Sequence, residues 1–208
     1  MLGISTVWKS QELKDGRELL KGLSRLGINN FELEYRISET TFAGIKKVLE
    51  KDNILRITSI HNYFPIPHES DVGGGDIFML SSACKEERLL AVQYTIRTIQ
   101  IAAELGAHAV VVHLGKVPME TVKNELFKLY DDDKIGSAEH QVALGKFAKK
   151  REENKGKTFD MLLLSVEALI KAAETVGVKI GIENRYYFSE YPNFDEFGIL
   201  LRNLGMIR

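Results

Sequence analysis

His61, His113 and Glu183 are residues whose types could do chemistry together: two imidazoles and a carboxylate, each closing a short apolar run. The runs are Ile54-Leu55-Arg56-Ile57-Thr58-Ser59-Ile60, Ala109-Val110-Val111-Val112 and Val178-Lys179-Ile180-Gly181-Ile182. Runs of this length between helical segments read as buried parallel strands. A carboxylate at the end of a buried strand costs stability unless a metal, a base or a donor satisfies it. Neighbouring strands lie about 4.8 Å apart, so three successive strand ends span roughly 10 Å. From there imidazole nitrogens and a carboxylate can converge on one divalent ion at distances of about 2.0–2.2 Å. Such a donor set suits zinc, manganese or cobalt, and magnesium less well. A lone histidine at a strand end is more often satisfied by backbone or water, so the three residues carry weight together rather than singly.

Residues around these three extend the reading. Asn184 can hold the Glu183 carboxylate from behind. Arg185 can bind a hydroxyl, carboxylate or phosphate of a substrate. Tyr186, Tyr187 and Phe188 can wall off a sugar face, although core packing accounts for aromatics equally well. Glu32 and Glu34, on the second strand, could reach the same mouth, and Glu34 is taken as a substrate-binding candidate. His68, His108 and His140 read as surface or structural residues. Gly73-Gly74-Gly75 lacks the Lys-Ser/Thr of a phosphate loop, so flexibility is its expected use. Lys146, Lys149, Lys150 and Arg151 are offset by Glu152 and Glu153 and read as a solvated helix face.

The elements that must position the three residues alternate along the chain. Strands are expected near 2–6, 30–34, 54–60, 109–113 and 178–182, with helices at about 15–26, 40–51, 82–105, 158–176 and 193–204. Leucines 19, 20, 23 and 26 carry the first helix, and Phe42, Ile45, Val48 and Leu49 the second. Leu162, Val166, Leu169, Ile170 and Ala173 face inward on the fourth. Gly27, Gly106 and Gly177 each stand between a helix and the next strand, which is αβ-loop chemistry. The long segment 61–82 reads as a functional lid, since loops of that length are uncommon in compact domains. Residues 116–157 form a charged, helix-prone excursion.

Alternating β and α units imply a parallel sheet with right-handed crossovers in a single α/β domain over 1–208. The segment after strand one has no glycine-rich phosphate fingerprint, while polar residues close strands three, four and five. That favours a (β/α)8 TIM barrel with strands in sequential order over an open doubly wound sheet. Five βα units fall short of eight. Gly205-Met206-Ile207-Arg208 reads as the start of a sixth strand, so the chain is expected to be truncated after about five units. Its edges are then expected to drive self-association and to leave it inactive alone.

Composition excludes several classes of function. A net charge of −1 offers no pull towards nucleic acid or acidic membranes. No apolar run approaches the roughly 18 residues that span a bilayer. Cys84 is the single cysteine, and no signal-peptide pattern opens the chain, so a cytoplasmic location is expected.

The order Ser59-Ile60-His61-Asn62, Val110-Val111-Val112-His113-Leu114-Gly115 and Gly181-Ile182-Glu183-Asn184 resembles the xylose isomerase-like barrel superfamily. The stretch from Glu86-Glu87-Arg88 to Ala102-Ala103-Glu104-Leu105-Gly106-Ala107 is similar as well. That superfamily includes sugar phosphate isomerases and epimerases, hydroxypyruvate-isomerase-like enzymes and abasic-site nucleases of the endonuclease IV type. The resemblance implies that His61, His113 and Glu183 bind metal and that Glu183 also moves a proton. It implies further ligands from later strands. The nuclease branch follows its Glu-Asn with small residues, whereas Arg185-Tyr186-Tyr187 follows here. The expectation is therefore a divalent-metal-dependent isomerase or epimerase acting by proton transfer on a small carbohydrate, as a sugar, sugar phosphate or related hydroxy-carbonyl compound, with a homo-oligomer as the candidate assembly. An abasic-site DNA nuclease and a non-catalytic barrel are the alternatives.

Overall fold

The computed structural model describes residues 2–119 and 123–203. Five strands, β1 (Ile4–Ser5), β2 (Asn30–Leu33), β3 (Arg56–His61), β4 (Ala109–Val112) and β5 (Lys179–Ile182), form one parallel sheet in the order β1-β2-β3-β4-β5. Sequential order with all strands parallel is that of a barrel wall, and a doubly wound arrangement is excluded. The helices are α1 (Gly16–Ser24), α2 (Glu39–Leu49), α3 (Lys85–Glu104), α4 (Lys123–Asp131), α5 (Ala138–Val176) and α6 (Phe194–Asn203). None of the described helices is long and apolar enough to cross a membrane.

Local chemistry sets the helix ends. Asp15 accepts from the Arg17 and Glu18 amides at the start of α1, and Ser38 and Ser137 do the same for Thr41 and His140. At the far end of α5, Gly177 has φ 71°, the left-handed conformation that a side chain disfavours. There is open space around its missing Cβ, so backbone conformation alone selects glycine there.

One face of the sheet lies under the helices. Phe31, Leu33, Ile57, Ile60, Val110 and Val112 are buried there against Leu19, Leu20, Leu23, Ile45, Ile99, Leu162, Val166 and Leu169. Each such side chain contributes roughly 1.5–3 kcal/mol on burial. The other face carries Glu32, Ser59, Ala109 and Val111, all only partly buried. The strands are thus covered on one side among the described residues. This inner face is mostly small or polar rather than broadly apolar.

The structure corrects the sequence reading at several points. The first strand is two residues long, because Ser5 caps a 3-10 turn at Thr6–Trp8. Leu26 is exposed rather than packed with the other leucines of the first helix. The excursion 116–157 holds α4 and then the first half of α5, which begins twenty residues earlier than expected and runs unbroken for 39 residues. Its Ala, Glu, Gln and Lys residues favour helix strongly enough to carry it through Gly145 and Gly156. The segment Gly205-Met206-Ile207-Arg208 lies outside the described residues, as does Leu204.

Arg151 is the largest correction. It is 1% exposed, not solvated, and lies between α5 and the loop that follows β5. Its Nη1 and Nη2 form a bidentate pair with the equally buried Glu196, Nη2 at 2.8 Å. Nε donates to the Phe188 carbonyl at 2.8 Å and Nη2 to the Glu190 carbonyl at 3.2 Å. The Tyr191 ring stacks beneath the guanidinium. One side chain of α5 therefore holds residues 188–196 in place. Arg151→Ala would leave the buried Glu196 carboxylate without its counter-charge, with only the Asn193 amide donating to it, and should cost about 3–5 kcal/mol, read as a lower denaturant midpoint. Arg151→Met with Glu196→Leu should recover most of that loss. A single-variant loss below about 1 kcal/mol would contradict the clamp.

Candidate metal centre

Register brings the three sequence-selected residues together. His61 pairs with Val111 across β3 and β4, and Val112 pairs with Ile182 across β4 and β5. His113 and Glu183 follow those last partners directly. Side chains alternate along a strand, so positions 61, 111, 113, 181 and 183 share the inner face. One nitrogen of each histidine and a carboxylate oxygen of Glu183 lie within 4.8 Å of one another. Glu183 Oε2 is 3.2 Å from His61 Nε2 and 3.6 Å from His113 Nε2.

Each imidazole has its proton assigned by its neighbours. His61 Nδ1 lies 2.9 Å from the Asn62 carbonyl, which can only accept, so the proton sits on Nδ1. Arg185 Nη1 lies 3.1 Å from His113 Nε2, and a guanidinium can only donate. His113 therefore accepts through Nε2 and donates from Nδ1 to Asp76 Oδ1 at 2.9 Å. A carboxylate behind a histidine in this way orients the ring and raises its basicity as a ligand. Burial works against the Asp76 carboxylate. The hydrogen bond and field of His113, with the charges of Arg185 and Lys116, outweigh it and hold the group below its ordinary range.

These residues fit a divalent cation on their own chemistry. With only its Nδ1 proton, His61 would turn the Nε2 lone pair towards a carboxylate oxygen 3.2 Å away, and a cation between the two atoms would satisfy both. Three carboxylates, Asp76, Glu183 and Glu190, surround the single guanidinium of Arg185. With the Lys116 ammonium acting on Asp76 as well, the carboxylates still outnumber the cations, and a divalent ion would offset the remaining negative charge. Two imidazoles and a carboxylate suit zinc, manganese or cobalt.

The segment after β3 lies against both rings. A Cβ on Gly75 would come within 2.7 Å of the His113 ring and 3.2 Å of His61 Cε1. Gly75 is there because backbone touches the imidazoles, not because the segment needs flexibility. The Tyr35 ring meets His61 edge-on at 4.9 Å, and the two histidine rings meet each other at 4.8 Å. Beside the centre opens a cavity of about 480 Å³ bounded by Asp76, Met79, Lys116, Arg185, Tyr186 and Glu190.

The other sequence candidates are placed differently. Glu183 is not buried: its side chain is 42% exposed, because no described strand covers the far edge of β5. Asn184 is exposed and makes no side-chain hydrogen bond to a described residue, so it does not hold the Glu183 carboxylate. Glu34 is 1% exposed and outside the cluster. Its carboxylate accepts from Ser10 Oγ and from Arg36 N and Nε, the last two at 2.9 Å. Tyr186, Tyr187 and Phe188 are exposed and line a second cavity of about 540 Å³. His68 and His108 are exposed, and His140 accepts from the Gly136 amide.

Sequence reasoning missed Asp76 and Glu190. The one available signal for Asp76 was its place directly after three glycines, where backbone can approach other groups closely.

Parallel strands in sequential order, with ligand-type side chains at their carboxyl ends, define one wall of a TIM barrel with a candidate metal centre. The sequence profile of the xylose isomerase-like TIM barrel family matches residues 20–205, and the chain belongs to that family. Among solved structures it is similar to a D-allulose 3-epimerase from Methylomonas sp., with a TM-score of 0.62 at 13% identity over 98% of this chain and 58% of that one. It is similar to a D-psicose 3-epimerase from Clostridium cellulolyticum H10, with a TM-score of 0.58 at 16% identity over 97% and 59%. A 3-keto-D-glucoside 4-epimerase from E. coli gives 0.57 at 15% identity over 94% and 61%. At these identities the likeness is one of fold, and the chain spans about three fifths of the length of these structures. No curated protein matches the sequence.

The contact at Gly75 is open to test. Gly75→Ala should push the segment off His113, break the Asp76 hydrogen bond and cost about 1–3 kcal/mol. A crystal structure of the variant with Asp76 still bonded to His113 and unchanged thermal stability would contradict it.

Proposed function

We propose that this chain is, or forms part of, a divalent-metal-dependent isomerase or epimerase acting on a sugar, sugar phosphate or related hydroxy-carbonyl compound by proton transfer. The observation that carries this reading is the convergence of His61 Nε2, His113 Nε2 and the Glu183 carboxylate at the carboxyl ends of adjacent strands. The family and its epimerase-bearing fold support it. The net charge of −1 lends nothing to the nuclease alternative.

In this reading His61, His113 and Glu183 hold the cation, with Asp76 fixing the His113 ring. A bound divalent ion supplies Lewis acidity, polarising a substrate carbonyl or hydroxyl oxygen. Glu183 takes a proton from the carbon beside the carbonyl on Oε1, the oxygen not turned to the imidazoles. Arg185 Nη2 and the exposed Asn184 amide bind substrate oxygens. Tyr186, Tyr187 and Phe188 offer ring faces to the C–H face of a sugar. Glu34 acts at one remove, holding Arg36 beside Tyr35 and so steadying the ring that rests on His61. The segment carrying Gly75 keeps water off the imidazoles.

The test is incubation of the whole protein that this chain is, or forms part of, with ketoses and their phosphates in heavy water with added Mn²⁺, Co²⁺ or Zn²⁺. Deuterium should appear at the carbon next to the carbonyl, and Glu183→Gln should reduce the rate by about 10²-fold or more. Isomerisation without deuterium would indicate hydride transfer and contradict the proposal. Cleavage of abasic DNA in its place would support the nuclease.

A further inference from the structure

Arg185 occupies an atom that the proposed cation needs. Its Nη1 donates to His113 Nε2 at 3.1 Å, and the same nitrogen is 3.6 Å from Glu183 Oε1. A neutral imidazole has one in-plane lone pair, which cannot serve a guanidinium hydrogen and a metal at once. Nor can arginine yield by losing its proton. Burial works against the charge, but Asp76, Glu190 and Glu183 more than offset it.

The surroundings also give the guanidinium somewhere to go. Nη2 lies 3.5 Å from Asp76 Oδ2. Nε is buried with no hydrogen-bond partner among the described residues, although Glu190 Oε1 is 3.5 Å away. The Tyr186 ring lies 5.4 Å beneath the group, and the cavity beside it is bounded by Asp76 and Glu190. An unsatisfied donor facing a carboxylate is a side chain held short of its best partner. Letting go of His113 would free it to close on Glu190.

We propose that Arg185 is the resident cation of the metal-free centre, and that a divalent metal expels Nη1 from His113 Nε2 and re-seats the guanidinium on Glu190 and Asp76. This rests on the reading that His61, His113 and Glu183 hold a metal. Metal and Arg185 then compete for the same lone pair and the same negative charge. Loading the centre also moves a substrate-facing cation into the cavity.

The experiment is calorimetric titration of the 208-residue chain with Zn²⁺, comparing wild type, Arg185→Gln and Glu183→Gln, with circular dichroism confirming that each folds. Losing a competing charge a few ångströms away should tighten Zn²⁺ binding by about tenfold or more in Arg185→Gln. In ¹⁵N-labelled wild type, the Arg185 Nε–H resonance, assigned by its loss in Arg185→Gln, should shift as Zn²⁺ is added. Equal or weaker binding by Arg185→Gln overturns the proposal, because it makes Arg185 a support for His113 rather than a competitor. An Nε–H resonance unmoved at saturating Zn²⁺ overturns it as well. Zn²⁺ uptake unaffected by Glu183→Gln, or no uptake by any variant, overturns the underlying metal reading too.

Discussion

Everything at the candidate centre depends on the register of three parallel strands. His61 is level with Val111, and Val112 with Ile182. A slip of one residue between β3 and β4, or between β4 and β5, would turn one ligand to the opposite face. The register is protected from the other side. Ile60, Val110 and Val112 alternate with the functional positions, and each is fully buried under the helices. Misplacing a ligand would expose these side chains at roughly 1.5–3 kcal/mol each. The hydrophobic face of the sheet thus fixes the geometry of its polar face.

Around that frame a second set of contacts decides which atoms are available. The Asn62 carbonyl and the Asp76 carboxylate each take an Nδ1 proton, leaving both Nε2 atoms to face Glu183. Asn62 is itself fixed by Thr95 and Thr98 of α3, so the long third helix helps orient His61. On the β5 side no described strand follows, and the loop after it is held by backbone pairing with the segment after β4, where Val117 N donates to the Ser189 carbonyl and Tyr191 N to the Gly115 carbonyl. Arg151 adds a second hold from α5, binding two carbonyls and Glu196. Arg185 and Glu190 sit on the loop so anchored. The family fold sets the strand ends, and individual hydrogen bonds set the protonation and direction of each group.

Much of this was legible in the sequence because the signals are local. Alternating apolar residues mark the strands, and Gly27, Gly106 and Gly177, with φ of 79°, 69° and 71°, mark where helices stop. His61, His113 and Glu183 stood out because polar ligand types end apolar runs. What was not legible depends on distant parts of the chain meeting. Arg151 lies in a run of charged residues, and only the rotation of α5 against the loop buries it while Lys149 stays in solvent. Asp76 becomes a partner of His113 only through the path of a loop whose glycines suggested mobility. Glu183 was expected to be buried because its strand is apolar, but burial of a strand requires neighbours on both sides. Glu34 had the right type and strand, yet its carboxylate is taken up by Ser10 and Arg36.

The central claim is that His61 Nε2, His113 Nε2 and the Glu183 carboxylate form one ligand set. A crystal structure of the Zn²⁺-loaded protein, with anomalous data at the metal edge, tests it most directly. The account predicts one anomalous peak about 2.0–2.2 Å from both Nε2 atoms and a Glu183 oxygen, with His113 Nδ1 still bonded to Asp76. A metal bound through Nδ1, one held away from Glu183, or no peak at these three side chains would contradict it.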